Sequence, residues 1–181
     1  MEKGSHKVTG GCMCGAVCYG APEPESVLYC HCKLCKSHTG ASVVALAGYA
    51  EADIEWSGDE RKIYNSSPGI KRGFCGKCGT PLTWEGSGDE PGSGEIELRV
   101  HSTDDPDALV PQFHIWTDER LEWFDIVDQL PRYHGWMHLG DPPFHHGPVI
   151  EGKARRSEAG PGHPAHRPIG AFVEGPECRP E

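Results

Sequence analysis

Apolar positions along this chain come in short bursts that alternate with polar ones and are separated by turns rich in glycine or proline. Ala16-Val17-Cys18-Tyr19 alternates as a strand does, Val27-Leu28-Tyr29 is a short apolar run, and Ser42 to Ala47 resumes one. Ile54-Glu55-Trp56 and Lys62-Ile63-Tyr64, separated by Ser57-Gly58-Asp59-Glu60, predict a hairpin. Ser66-Ser67-Pro68-Gly69 predicts a further turn, and strands are expected from Ile70 to Phe74 and from Pro81 to Trp84. Glu95 to Val100 alternates cleanly, which predicts a strand with its polar side out and its apolar side in. Apolar and aromatic pairs follow at Phe113-His114-Ile115-Trp116 and Trp123-Phe124. Lys36-Ser37-His38-Thr39 leaves room for one helical turn before Gly40 stops it. Helical periodicity is nowhere sustained, so the expected fold is mainly β.

The pattern fails after residue 138. From Leu139 onward the 43 residues include eight prolines and seven glycines, a composition that does not pack a core. The expected organisation is one folded domain over 1–138 and a mostly disordered tail over 139–181, with Gly86 to Gly94 an exposed loop. His145, His146, His163, His166 and Cys178 fall in that tail, as solvated histidines and an ordinary thiol. The formal charge of −10 argues against wholesale nucleic-acid binding, which wants a basic surface. No apolar run approaches the roughly 18 residues of a membrane span. The first residues hold no apolar leader segment. A cytoplasmic location, where thiols stay reduced, is the resulting expectation.

Reduced thiols change the meaning of the nine cysteines. Close spacings then favour metal over a disulfide framework. Cys30-His31-Cys32-Lys33-Leu34-Cys35 places three thiols within reach of one ion. Cys12-Met13-Cys14 and Cys75-Gly76-Lys77-Cys78 add up to four more. A structural zinc is closed by four protein ligands, whereas a reactive zinc keeps three and leaves one position exchangeable. The count therefore predicts one closed and one open site. Cys18 falls on a strand alternation outside both groups and reads as a small buried hydrophobe.

Taken in order, Gly11-Cys12-Met13-Cys14-Gly15, Cys30-His31-Cys32-Lys33-Leu34-Cys35, Thr39-Gly40-Ala41, Ser66-Ser67-Pro68-Gly69, Phe74-Cys75-Gly76-Lys77-Cys78-Gly79-Thr80-Pro81-Leu82 and Thr103-Asp104-Asp105-Pro106 resemble the glutathione-dependent formaldehyde-activating enzyme family, which includes centromere protein V. The resemblance runs over roughly residues 8 to 136. It implies a β-tent zinc-binding fold of short antiparallel sheets with two zinc ions per chain. Cys12, Cys14, Cys75 and Cys78 would hold the structural zinc, and Cys30, Cys32 and Cys35 the reactive one. It implies a carbon–sulfur lyase-type activity that condenses formaldehyde with glutathione to S-hydroxymethylglutathione, with glutathione or another small thiol as partner. Ser42-Val43 departs from the Pro-Phe expected there.

A three-thiolate zinc lowers the pKa of an incoming thiol, and the alkoxide that develops on the aldehyde needs a proton donor. His31, His38 and His114 are the candidate catalytic residues. Lys36 and Arg72 could meet a glutathione carboxylate, although a solvated charge is the default reading for each. A non-catalytic zinc module that binds glutathione or a protein is the competing reading. It gains ground if another residue, for instance His38, closes the three-thiol site. A redox dithiol among Cys30, Cys32 and Cys35 is the weaker third, because zinc would occupy those sulfurs.

Overall fold

The computed structural model describes residues 7–86 and 94–136. The tail expected over 139–181, with its histidines and Cys178, and the interior of the loop between Gly86 and Gly94 lie outside the described residues. The described part contains ten short strands, one short α-helix and four single-turn 3-10 helices. In chain order they are β1 (Val8–Gly11), β2 (Val17–Ala21), β3 (Ser26–Cys30), α1 (Lys33–Thr39), β4 (Val44–Ala50), β5 (Glu55–Gly58), β6 (Lys62–Ser67), β7 (Ile70–Phe74), β8 (Thr83–Gly86), β9 (Glu95–Arg99) and β10 (Phe113–Ile115). The fold is mainly β, as the alternation predicts. Among the described residues no helix is long and apolar enough to cross a membrane.

The strands form two sheets. A small one runs β1-β2-β5, and a larger one runs β10-β3-β4-β9-β8-β7-β6. All pairings are antiparallel except β10 with β3. The hairpin predicted between Ile54 and Tyr64 does not form: β5 pairs with β2, and β6 pairs with β7 across the turn at Pro68-Gly69. Trp56 is the physical reason. Its ring meets Tyr19 of β2 edge-on at 5.6 Å, a contact that secures β5 to the small sheet. The Arg61 guanidinium, at the start of the next strand, sits 4.2 Å over the same ring.

Both faces of the larger sheet are covered at its centre, while the edge strand β6 is exposed from Lys62 to Asn65. One face joins the small sheet in a core that includes Val17, Tyr19, Ala47, Ile96 and Leu98. The other carries Leu28, Cys30, Val44, Leu46 and Ile115, capped by Cys35 of α1 with Trp116, Tyr133 and Trp136 from the far end of the described chain. The polar side of β9 is therefore not out. Glu97 and Arg99 are as buried as Ile96 and Leu98, because a second layer covers the face that the alternation assigns to solvent.

Candidate metal centres

Two hairpin knuckles build the first sulfur cluster. Cys12 N–H donates to Val17 O and Gly15 N–H to Cys12 O, while Cys75 N–H donates to Thr80 O and Gly79 N–H to Cys75 O. Gly15 and Gly79 have φ of 72° and 77°, left-handed values that a side chain resists, so each turn closes around its thiols with least strain as glycine. The sulfurs of Cys12, Cys14, Cys75 and Cys78 lie within 4.8 Å of one another. Val17 N–H donates to Cys12 Sγ at 3.3 Å and Lys77 N–H to Cys75 Sγ at 3.4 Å. The Met13 N–H donates to the Thr80 hydroxyl, which ties one knuckle to the other across 67 residues of chain.

Four thiols this close cannot all ionise unaided. The Ala16 backbone N–H favours the Cys14 thiolate, yet Cys12 and Cys78 beside it push the Cys14 thiol up to about 12. Burial raises Cys78, but hydrogen bonds from Thr80 outweigh it and hold that thiol at about 6. A divalent ion resolves the conflict by ionising all four. The donor set suits zinc, with ligand softness and number both matching a closed site.

The second cluster joins the end of β3 to α1. Cys30 ends the strand, Cys32 is the N-cap of the helix, and Cys35 lies in its first turn. The helix starts earlier than the sequence suggests, at Lys33, because Cys32 Sγ accepts the Cys35 N–H at 3.2 Å in the place a serine or threonine hydroxyl takes in other caps. Gly40 closes the other end with a left-handed φ of 73°. The sulfurs of Cys30, Cys32 and Cys35 also lie within 4.8 Å of one another, and no fourth ligand atom from a described residue joins them.

Two arginines that the sequence pattern assigns to solvent flank this cluster. Arg72 is buried, its Nη1 donating to Cys35 Sγ at 3.5 Å and its Nε to Ser66 Oγ at 3.1 Å. Arg99 is 1% exposed, and none of its three guanidinium nitrogens has a hydrogen-bond partner among the described residues. Hydrogen bonds from Cys30 and Cys32 hold the Cys35 thiol well below the ordinary thiol range against the cost of burial, and the Arg99 and Arg72 charges add to this. Contacts with Cys32 and Cys35 push Cys30 well up. Cys30 favours the Cys32 thiolate, but Cys35 and burial oppose it and raise that thiol to about 11. One thiolate is stable here without a metal, and three need one. Burial, with the Cys35 charge behind it, raises Glu97 on the same face of the sheet to about 8.

The candidate histidines divide. His31 and His114 are fully buried and face each other, with Nε2 of His31 2.9 Å from Nδ1 of His114. The Asp128 carboxylate accepts from His114 Nε2–H at 3.0 Å, and Arg132 Nη2 donates to Asp128 at 3.1 Å. A neutral His114 that donates to Asp128 must accept from His31 Nε2–H. Burial keeps His114 neutral by lowering its pKa. Nδ1 of His31 is then a lone-pair nitrogen with no partner among the described residues. His38 lies apart, half-buried one turn after Cys35, and burial together with the Arg99 charge lowers it to about 4. Lys36 is half-buried and its Nζ donates to the Glu119 carbonyl. Cys18 is half-buried on β2, outside both clusters, rather than sealed in the core.

Beside the three-thiol cluster lies a cavity of about 410 Å³ whose lining includes Cys32, Arg72, Trp84, Trp116 and Trp136. A larger cleft of about 620 Å³ near Trp56 and Arg61 touches neither cluster. Glu97, Arg99, Asp128 and the tryptophan walls carry no motif. Only the Cys30–Cys35 spacing marks this region along the sequence.

A sequence model of the family described as "Glutathione-dependent formaldehyde-activating enzyme" matches residues 7–119. No curated protein matches the chain. The crystal structure of a Rhodobacter sphaeroides protein is similar, with 21% identity and a TM-score of 0.43 over 53% of this chain and 87% of that one.

Proposed function

Because the chain belongs to the glutathione-dependent formaldehyde-activating enzyme family, we propose that it is a zinc-dependent enzyme of the carbon–sulfur lyase type, acting on glutathione or a related small thiol and a small aldehyde such as formaldehyde. The observation that carries this reading is the unequal number of sulfurs among the described residues: four in the knuckle cluster, three in the cluster at the cavity. Cys12, Cys14, Cys75 and Cys78 are assigned to a structural zinc. Cys30, Cys32 and Cys35 are assigned to a second zinc with an exchangeable position.

A zinc ion held by three thiolates supplies a low-pKa site for an incoming thiol. The chain's own residues do the rest. Arg72 and Arg99 place two buried positive charges against the sulfurs, which favours accumulation of negative charge there. The overall step adds the S–H of the thiol across the aldehyde C=O. The C–S bond forms, the carbonyl π pair moves to oxygen, and the thiol proton ends on that oxygen, so no co-reactant is needed. His31 and His114 are sealed from solvent, and we assign them to holding the three-thiol loop through the Asp128 carboxylate. His38, neutral and half-buried, is the candidate able to pass the proton.

The rival reading is a non-catalytic module that binds a thiol through the same zinc. Burial of two of the three candidate histidines favours it, since it removes two proton donors from the reacting atoms. NMR exchange spectroscopy on labelled formaldehyde and glutathione with the zinc-loaded chain decides between them. Exchange accelerated in proportion to protein concentration supports the enzyme, and binding without acceleration supports the module.

A further inference from the structure

The cavity beside the three-thiol cluster has walls that do not resemble a site for a highly charged peptide. Trp84 and Trp136 stack with ring centroids 5.4 Å apart, Trp116 closes a further side, and Leu34, Pro68 and Ile70 complete an apolar lining. Among the described lining residues charged groups are few: Arg72 is the one cation, with its Nη1 and Nε already committed to Cys35 and Ser66, and Glu119 is the one carboxylate, accepting the Lys33 backbone N–H. Trp116 is held in this wall by a left-handed backbone, φ 56°, which is sterically costly for a tryptophan. Its backbone N–H donates to Gly135 O at 3.0 Å, which joins it to the segment that brings in Trp136.

Glutathione carries two carboxylates and an ammonium, and an apolar aromatic wall offers little to offset their desolvation. A flat apolar group gains from the same wall through burial and ring contacts. Resting on the reading of Cys30, Cys32 and Cys35 as an open thiol-binding metal site, we propose that the thiol taken by this chain bears a flat apolar or aromatic substituent that lies in the cavity between Trp84, Trp116 and Trp136. The sulfur then reaches the three-thiol cluster at Cys32, where the cavity wall and the cluster share a residue.

Two thiols of matched acidity that differ by one phenyl ring, thiolactate and β-phenylthiolactate, isolate the ring's contribution, with glutathione as the third probe. Titration of each into the zinc-loaded full-length chain, followed by calorimetry and tryptophan fluorescence, is expected to give at least about tenfold tighter binding of β-phenylthiolactate than of either other thiol. Trp136→Ala removes a half-buried wall residue and is expected to cut that preference, the ratio of the β-phenylthiolactate to the thiolactate affinity, to about threefold or less. Trp116→Leu is the second variant should Trp136→Ala fail to fold. Equal affinities for the three thiols, or tighter binding of glutathione, overturn the aromatic-substituent proposal and leave the open site standing. Absence of binding by all three overturns the open site itself, and this proposal with it.

Discussion

The two sulfur clusters of this chain are made from different kinds of connection. The four-sulfur cluster joins two glycine knuckles that lie more than sixty residues apart, at the junction of β1 with β2 and of β7 with β8. Its electrostatic surroundings are backbone N–H groups, a threonine hydroxyl and the exposed Lys77 ammonium, which is paired with Asp59. The three-sulfur cluster closes six residues of continuous chain and is surrounded by buried arginines, a buried glutamate and a tryptophan-lined cavity. A site that cross-links distant segments couples metal binding to folding, whereas one that closes a local loop leaves its surroundings free to tune an exchangeable position.

The sharpest way to break this contrast is to remove one sulfur from each. Cys78→Ser is expected to give unfolded or insoluble protein, because it opens the link between the knuckles. Cys32→Ser is expected to stay folded, since serine is a good N-cap and α1 keeps its first turn. It should lose one metal equivalent and its affinity for thiols. Circular dichroism with metal analysis on both variants is the measurement. If Cys32→Ser unfolds as badly as Cys78→Ser, the second site is structural and the contrast is gone.

Much of the first cluster and little of the second's surroundings can be read along the chain. Metal-ligand spacing and glycine turns are local features, so Cys12, Cys14, Cys75 and Cys78 and the trio Cys30, Cys32 and Cys35 all group as their spacing predicts. What fails is every inference that needs to know what lies on top. The alternation of β9 assigns Glu97 and Arg99 to solvent, yet residues 113–136 bring a second layer over that face with no periodicity of their own to announce it. Arg72 is buried against a solvent expectation for the same reason. The chain from His31 through His114 to Asp128 spans 83 and then 14 residues of sequence, and no spacing rule connects them. A hairpin of β5 with β6 is locally reasonable, but β5 pairs instead with β2 from Glu55 to Gly58, with Trp56 against Tyr19.

A second test sharpens the electrostatic half of the comparison. Arg99 has no hydrogen-bond partner among the described residues, so its contribution to the three-sulfur site is charge rather than geometry. Arg99→Met is expected to weaken metal binding at that site by about tenfold, consistent with about 1.4 kcal/mol from a nearby buried charge, and to leave the four-sulfur site unaffected. Arg99→Lys should recover most of the loss. Competition with a chromogenic chelator, read for both metal equivalents, reports the difference. Equal weakening of both sites would mean that Arg99 supports the fold as a whole.

The smallest effect expected is on Glu97, and its sign follows from burial. The folded protein holds this carboxyl at about 8 against an ordinary value of 4.5, with burial the leading cause and the Cys35 charge the next. Between those values the folded state retains a proton that the unfolded state has released, so stability falls as pH rises through that window and levels off above about 8. Among the described residues no carboxylate joins the four-sulfur cluster. Glu97→Gln replaces the group with a neutral one of similar shape and removes the linked proton. Melting temperatures of the metal-loaded protein at a series of pH values from about 5 to about 9 should decline less for Glu97→Gln than for the unmodified chain. The two curves should lie closest at the acid end, where both side chains are neutral. Parallel curves across the window would show that Glu97 is ionised in the fold, with its charge balanced by Arg72 and Arg99. The negative charge around the three sulfurs would then be larger by one, leaving the two arginines less positive charge to offer an incoming thiolate.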